Sequence, residues 1–265
     1  MRVVGTVESL WRYPVKSMAG EEVDEAFLGF AGVYGDRLFA FTSAASPKGF
    51  PYLTAREQHE MLRFRPRFRH PELAAQPPNL ADAEALAPGQ NLTPLYAEPV
   101  DLIVDVETPS GETFAVDDPR LIEQLRAGIG PENILSLVQR DRALTDCRPV
   151  SVLSVQTVRQ LGEELGVAVD QRRFRANVYL DLASGLGFEE DGYVGRSLRI
   201  GDKAVVSVLE RDPRCPLITL DPDTGQADPS ILRQVGQAHE GMFGIYAAVL
   251  VEGTLRKGDR VELLD

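Results

Sequence analysis

Few residues in this chain are able to do covalent or metal chemistry. Two cysteines, Cys147 and Cys215, and three scattered histidines, His59, His70 and His239, stand outside any CxxC, HExxH or tight His/Cys/carboxylate group. A zinc or iron site built by the protein alone is therefore not expected. The chain also lacks a P-loop, a GxGxxG after a strand and a GxSxG elbow, which sets aside the enzyme classes those motifs mark. The thiol with the richest surroundings is Cys215, in residues 210–225, E-R-D-P-R-C-P-L-I-T-L-D-P-D-T-G. Arg211 and Arg214 flank it and favour the thiolate, the form that binds a metal. The competing reading is a small apolar thiol in a surface loop. Cys147 precedes Arg148-Pro149, matches no cofactor-binding pattern and reads as an incidental free cysteine.

Groups suited to an anion are spread along the sequence. The loop W-R-Y-P-V-K-S-M-A-G offers the Lys16 ammonium, the Ser17 hydroxyl and backbone amides to a phosphate, or is a plain hairpin turn. Arg37 lies on an expected strand, and Arg56 follows an expected strand end at Y-L-T-A-R. Ser154 stands at the N-cap of a helix, a position that is also a natural seat for phosphate. In R-R-F-R-A-N-V-Y-L-D-L, strand alternation places Arg173, Arg175 and Asn177 on one face, either as an anion-binding surface or as a solvated edge strand.

The elements that must position these groups are mostly strands. Alternation predicts strands over residues 3–10, 22–27, 61–68, 102–106, 113–116, 134–138, 150–153, 198–200, 204–209, 244–251 and 260–264. Three helices are expected, over 118–127 (Asp118 cap, Pro119 first), 155–165, and a last one between Asp228-Pro229 and Gly241. Gly29, Gly32 and Gly35 have the wrong spacing for a phosphate cradle and read as tight turning. Residues 70–99 form a Pro- and Ala-rich surface excursion, and the turn at 128–131 divides the chain into 1–130 and 131–265. The fold class is mainly β with a few helices (α+β), in small barrels or curled sheets.

A net charge of −12 argues against nucleic acid or an anionic membrane as the main partner. The most apolar run, residues 242–251, is far short of the roughly 20 residues of a membrane helix. Two cysteines and no signal-peptide pattern imply thiols in a reducing cytoplasm.

Taken together, Y-P-V-K-S, G-D-R, T-A-R, R-x-N before a strand and C-x-x-x-T-x-D-P-D-T-G resemble the MOSC family, named for the C-terminal domain of molybdenum cofactor sulfurases. The layout is similar to members that carry a MOSC N-terminal β-barrel domain, such as the mitochondrial amidoxime-reducing component and its bacterial relatives. The resemblance implies an N-terminal MOSC-type β-barrel domain followed by a MOSC β-barrel domain, with a molybdenum cofactor (molybdopterin) between them. It puts Cys215 on the metal and Lys16, Ser17, Arg37, Arg56, Ser154, Thr157, Arg175 and Asn177 on the cofactor. The implied activity is two-electron oxygen-atom transfer, reducing N-hydroxylated small molecules with electrons from a separate flavin, haem or iron–sulfur protein. The alternatives are a persulfide-bearing sulfur carrier and a non-catalytic cofactor carrier. Pyridoxal phosphate on Lys16 is a distant further choice, since nothing else marks such a site. Two positions depart from the family pattern: Ala176 stands in place of a proline, and Pro216 after the cysteine in place of an aliphatic residue, which could re-aim the thiol.

Overall fold

A computed structural model describes residues 1–86, 95, 98, 100–130, 132–140 and 143–264. The first strand, β1 (Arg2–Arg12), turns Val4, Val7 and Leu10 into a core, and register slips along it mark bulges that bend it. Then come β2 (Glu21–Val23), β3 (Glu25–Gly29), β4 (Gly32–Val33), β5 (Phe39–Ser43), β6 (Arg65–Phe68), α1 (Leu80–Glu84), β7 (Val104–Glu107), β8 (Thr113–Ala115), α2 (Pro119–Arg126) and β9 (Leu135–Gln139). The second half contains β10 (Val150–Ser154), α3 (Val155–Leu165), β11 (Val178–Leu182), β12 (Ser197–Ile200), β13 (Ala204–Pro213), α4 (Pro229–Ala238), β14 (Met242–Val251), β15 (Gly253–Arg256) and β16 (Arg260–Leu264).

Strands β11, β10, β14, β13, β12, β16 and β1 pair in that order, and β1 pairs back onto β11, closing a seven-stranded barrel. Closure removes exposed sheet edges. The pairing of β10 with β11 is parallel, which needs a crossover, and α3 supplies it. Inward residues of all seven strands fill one apolar core, including Val152, Leu180, Leu198, Val206, Ile245 and Val261. A second core lies among Phe41, Leu53, Met61, Val104, Phe114 and Leu121, beneath β5–β9, β6–β7–β8 and α2. A third joins α3 and α4 through Leu161, Ile231, Phe174 and Phe243. Caps sit where the sequence places them: Asp118 accepts from the Arg120 amide at 2.9 Å, Asp228 from the Ser230 amide at 3.0 Å, and Ser154 from the Thr157 amide at 3.1 Å.

Barrel closure demands Gly5. A Cβ there would lie 2.2 Å from the Asp181 carbonyl oxygen on β11, a backbone atom that cannot swing aside. Gly5→Ala is expected to cost about 1–3 kcal/mol, as overpacking does, read as a lowered melting temperature.

Several expectations need correction. Residues 61–68 are not one strand: a 3₁₀ turn, His59–Arg63, precedes β6, because Met61 and Leu62 are both buried and strand alternation cannot bury neighbours. Arg37 is not on a strand but in the turn before β5, with φ of 47°. Residues 172–177 do not alternate either. Asp170 caps a 3₁₀ turn, Gln171–Phe174, Arg175 turns left-handed at φ 53°, and the strand begins only at Val178. That strand, β11, lies between β10 and β1, so it is no solvated edge. Hydrogen bonding crosses the 1–130/131–265 division: β1 completes the barrel of the second half, β5 pairs β9, and β3 pairs β15. Part of the expected 70–99 excursion, and Pro131 of the dividing turn, lie outside the described residues.

Candidate functional site

At one rim of the barrel, the ends of β10, β11 and β13 and Tyr246 of β14 face loops of the first half across a cleft of about 590 Å³. Cys215 borders it. The residue is extended and half-buried, and Pro216 opens a short 3₁₀ turn, Pro216–Thr219, directly after it. The proline starts that turn, where its missing N–H is no loss, and does not remove the cysteine from the cleft.

The first half contributes cations. Val15 bridges to Phe39 and the Lys16 amide donates to the Phe39 carbonyl at 2.8 Å, so the loop after β1 is laid against the start of β5. The Lys16 ammonium donates to the Leu144 carbonyl at 2.8 Å and to the Asp146 carboxylate, beside the rings of Phe50 and Tyr52. Burial lowers its pKa, against the pull of Asp146 and with the push of Arg37 and Arg175. Ser17 borders the cleft with φ of 65°. Arg37 donates to Asp36 at 2.5 Å and to the Arg175 carbonyl at 3.0 Å. Burial opposes its charge, but Asp36 and Tyr13 outweigh that and raise its pKa. The guanidiniums of Arg37 and Arg175 both lie over the Tyr13 ring, at 4.5 and 4.2 Å. Tyr13 itself is pushed up to about 12 by burial. Arg56 also borders the cleft, its guanidinium 5.0 Å from the Phe50 ring.

Arg175 is the most constrained of these groups. It is 9% exposed and one Nη donates to the Met18 carbonyl at 2.7 Å, while Nη2 has no protein partner. Burial pushes its pKa down to about 10. Arg214 resembles it: Nε and Nη1 donate to the carbonyls of Phe243 and Phe174 at 2.7 and 2.8 Å. Its Nη2 lies 2.9 Å from Asp212 but is not aimed along a hydrogen bond, so that contact is an ion pair without one. Two buried guanidinium nitrogens left without acceptors are costly and fit a bound group rich in oxygen acceptors. Left-handed backbone adds to the pattern. Of five non-glycine residues with positive φ among those described, Ser17, Arg37 and Arg175 border this one cleft, and strain of this kind gathers at functional sites.

Not every sequence candidate arrives there. Ser154 and Thr157 are fully buried in a separate network: the Ser154 hydroxyl donates to Glu190 at 3.0 Å, the Thr157 hydroxyl donates to Glu190 at 2.7 Å, and the Ser154 amide adds a bond of 2.9 Å. They neither border the cleft nor keep a free hydroxyl for phosphate, so capping and core bonding explain them. Asn177 does border the cleft, but its side-chain oxygen accepts from the Ser151 amide and its nitrogen donates to the Trp11 carbonyl, both at 3.3 Å, tying β10 to β1. Arg211, expected beside the thiol, instead pairs with Asp191 at 2.9 Å and Glu240 at 2.6 Å and is absent from the cleft lining. Arg172 is committed to Asp170 and Asp223.

Sequence reasoning passed over Asp146, Asp212 and Tyr246 and set Cys147 aside as incidental, and all four border the cleft. Asp212 lies three residues before Cys215, so proximity to the motif was an available signal for it. Cys147 lies near Glu210, at 3.7 Å, and partial loss of water with that carboxylate raises its thiol pKa. Among the described residues no group of three His, Cys, Asp or Glu side chains gathers as a metal site.

Asp146 holds the ammonium that an incoming oxyanion would want. Asp146→Asn is expected to tighten inorganic phosphate or pyrophosphate by about tenfold, roughly 1.4 kcal/mol, measured by calorimetry. In the wild type the same affinity should fall as pH rises through the depressed pKa values of Lys16 and Arg175, since each then loses its positive charge below its ordinary range.

Comparison with known families settles the relationship. The MOSC domain matches residues 139–262 and the MOSC N-terminal beta barrel domain residues 4–93. The chain belongs to the MOSC family. Mitochondrial amidoxime-reducing component 1 of Homo sapiens is 26% identical over all of this chain and 84% of its own length. Molybdenum cofactor sulfurase of Drosophila mojavensis is 32% identical over 60% of this chain but only 19% of its own. The solved YUAD protein of Bacillus subtilis aligns over 99% of this chain and 97% of its own with a TM-score of 0.48 and 13% identity. The MOSC match covers β10 through most of β16, and the N-terminal match covers most of β1 through α1. Each thus supplies one wall of the cleft. Among the described residues no helix is long and apolar enough to cross a membrane.

Proposed function

We propose that the cleft holds a molybdenum cofactor and that the protein reduces N-hydroxylated small molecules by two-electron oxygen-atom transfer. The observation that carries this reading is the gathering of one thiol, Cys215, with Lys16, Arg37 and Arg175 from both halves of the chain around buried guanidinium nitrogens that lack acceptors. When bound, the cofactor would supply the metal and its two-electron chemistry. Cys215 supplies one soft thiolate, as a metal whose other ligands come with its cofactor requires. Lys16, Arg37, Arg175 and Arg214 balance the charge of a phosphate-bearing group, and Ser17 with its left-handed backbone lies at the same wall. Phe50 and Tyr52, packed edge to face, border the cleft and would present apolar ring surface to the bound group. A separate flavin, haem or iron–sulfur protein delivers the electrons. Two free thiols support a reducing compartment such as the cytoplasm.

The test is elemental analysis of the purified protein together with reduction of a panel of amidoximes and hydroxylamines by a chemical reductant. Near-stoichiometric molybdenum and product formation are expected. A metal-free protein that also fails to take up added cofactor overturns the reading.

A second reading, sulfur transfer, draws on the part-length likeness to molybdenum cofactor sulfurase and on Cys147 bordering the same cleft as Cys215. It expects a labelled persulfide on Cys215 after incubation with a cysteine desulfurase, and no tightly held molybdenum.

A further inference from the structure

The floor of the cleft carries a carboxylate that nothing in the binding scheme uses. Asp212 is 1% exposed, three residues before Cys215, at the end of β13. One of its oxygens accepts from the Ser151 hydroxyl at 3.0 Å, and the other, Oδ1, has no hydrogen-bond partner. Tyr246 of β14 pairs in register with Ser151 of β10 and with Glu210 of β13, borders the same cleft and is half-buried, which sets its phenol between this carboxyl and the open cleft. A buried carboxylate with an unpaired oxygen is expensive as an anion and far less so as a neutral acid.

We propose that Asp212 and Tyr246 are the proton-delivering pair of this cleft, Tyr246 handing its hydroxyl proton to the departing oxygen and Asp212 replacing it. The inference rests on the N-hydroxyl reduction proposed above. In that reaction the N–O bond breaks and two electrons arrive from the flavin, haem or iron–sulfur donor protein. One proton goes to nitrogen from solvent, and a second, from Tyr246, lets the oxygen leave as water. Asp212 then recovers its proton from solvent. The chain thus supplies a reservoir for that proton.

The electrostatic surroundings agree. The groups facing Asp212 are Arg214 from the end of its own strand, Tyr246 from β14, Ser151 from β10, Arg37 from the turn before β5 and Cys147 from the segment before β10. Burial raises the Asp212 pKa, and Arg214, Ser151 and Tyr246 only partly offset it. Burial and the Asp212 carboxyl raise that of Tyr246, which keeps the phenol protonated until it is used. An acid with a raised pKa is protonated below that value and is lost as pH rises through it, so the activity it supports should fall on the alkaline side.

Infrared difference spectroscopy of the purified protein without added cofactor, wild type against Asp212→Asn, tests the protonation directly. A protonated-carboxyl stretch that vanishes in the variant, and that persists above the ordinary aspartate range, is expected; its absence overturns the proposal. In molybdenum-loaded protein, Asp212→Asn and Tyr246→Phe should each lower kcat about 100-fold, the lower end of general-acid effects, with molybdenum content unchanged. The wild-type kcat should decline with the pKa read by infrared. Should Asp212→Asn fail to fold, Tyr246→Phe decides alone: it should shift the carboxyl titration to higher pH, because the phenol no longer stabilises the anion. Undiminished kcat in Tyr246→Phe overturns the relay while leaving the reductase reading intact. Wild-type protein without molybdenum or reductase activity overturns that reading, and the relay with it.

Discussion

Cys215→Ala is expected to yield a folded protein with N-reductase activity at background and molybdenum content reduced tenfold or more (~1.4 kcal/mol or more). The side chain is half-buried at the start of a short turn and engages in no disulfide, so stability should change by less than about 1 kcal/mol. The loss is chemical: alanine offers no soft ligand, and among the described residues no cluster of other ligands stands ready to replace it. The organic part of the cofactor would still meet Lys16, Arg37 and Arg175, so retained pterin with departed metal is the sharpest form of the result. Cys215→Ser, which swaps a soft ligand for a hard one, should fall between alanine and wild type. The measurements are elemental analysis, pterin fluorescence after release and turnover; an alanine variant with full activity overturns the assignment of the thiol.

The second large effect concerns stability. Glu190 is buried and accepts from the Ser154 amide, the Ser154 hydroxyl and the Thr157 hydroxyl at 2.7–3.0 Å. Glu190→Ala strands the Ser154 amide and the Thr157 hydroxyl in the core, since the Ser154 hydroxyl can still donate to Thr157 at 2.9 Å; each stranded donor is worth about 1–3 kcal/mol. A loss of roughly 3 kcal/mol or more corresponds to a fall in Tm of roughly 6–12 °C for a chain of this size. Molybdenum per folded molecule should not change, because neither Ser154 nor Thr157 reaches the cleft. A variant with normal melting but weakened cofactor binding would return both residues to the site.

Much of this organisation was legible in advance. The hairpin of β7 and β8, the caps of α2, α3 and α4, and the barrel strands of the second half follow from alternation, turn residues and cap chemistry, which are local. The cleft residues Lys16, Ser17, Arg37, Arg56, Arg175, Asn177 and Cys215 were found through motif likeness. What misled were non-local or conformational facts. Arg175 adopts a left-handed backbone that no sequence pattern announces, so strand alternation was carried through a residue that breaks it. Ser154 carries a hydroxyl and a helix start that suit phosphate equally well, and only the presence of Glu190 behind it, from a turn more than thirty residues away, decides its use. Arg211 sits beside the motif in sequence but is drawn off by Asp191 and Glu240.

The pairing of β1 with both β11 and β16 also bears on how the molecule is made. Apart from the nearby β2, Arg2–Arg12 finds its partners at Val178–Leu182 and Arg260–Leu264, both far along the chain. Until those distant strands meet it, the apolar face of β1 lacks its barrel neighbours, a high-contact-order arrangement that folds slowly and invites aggregation.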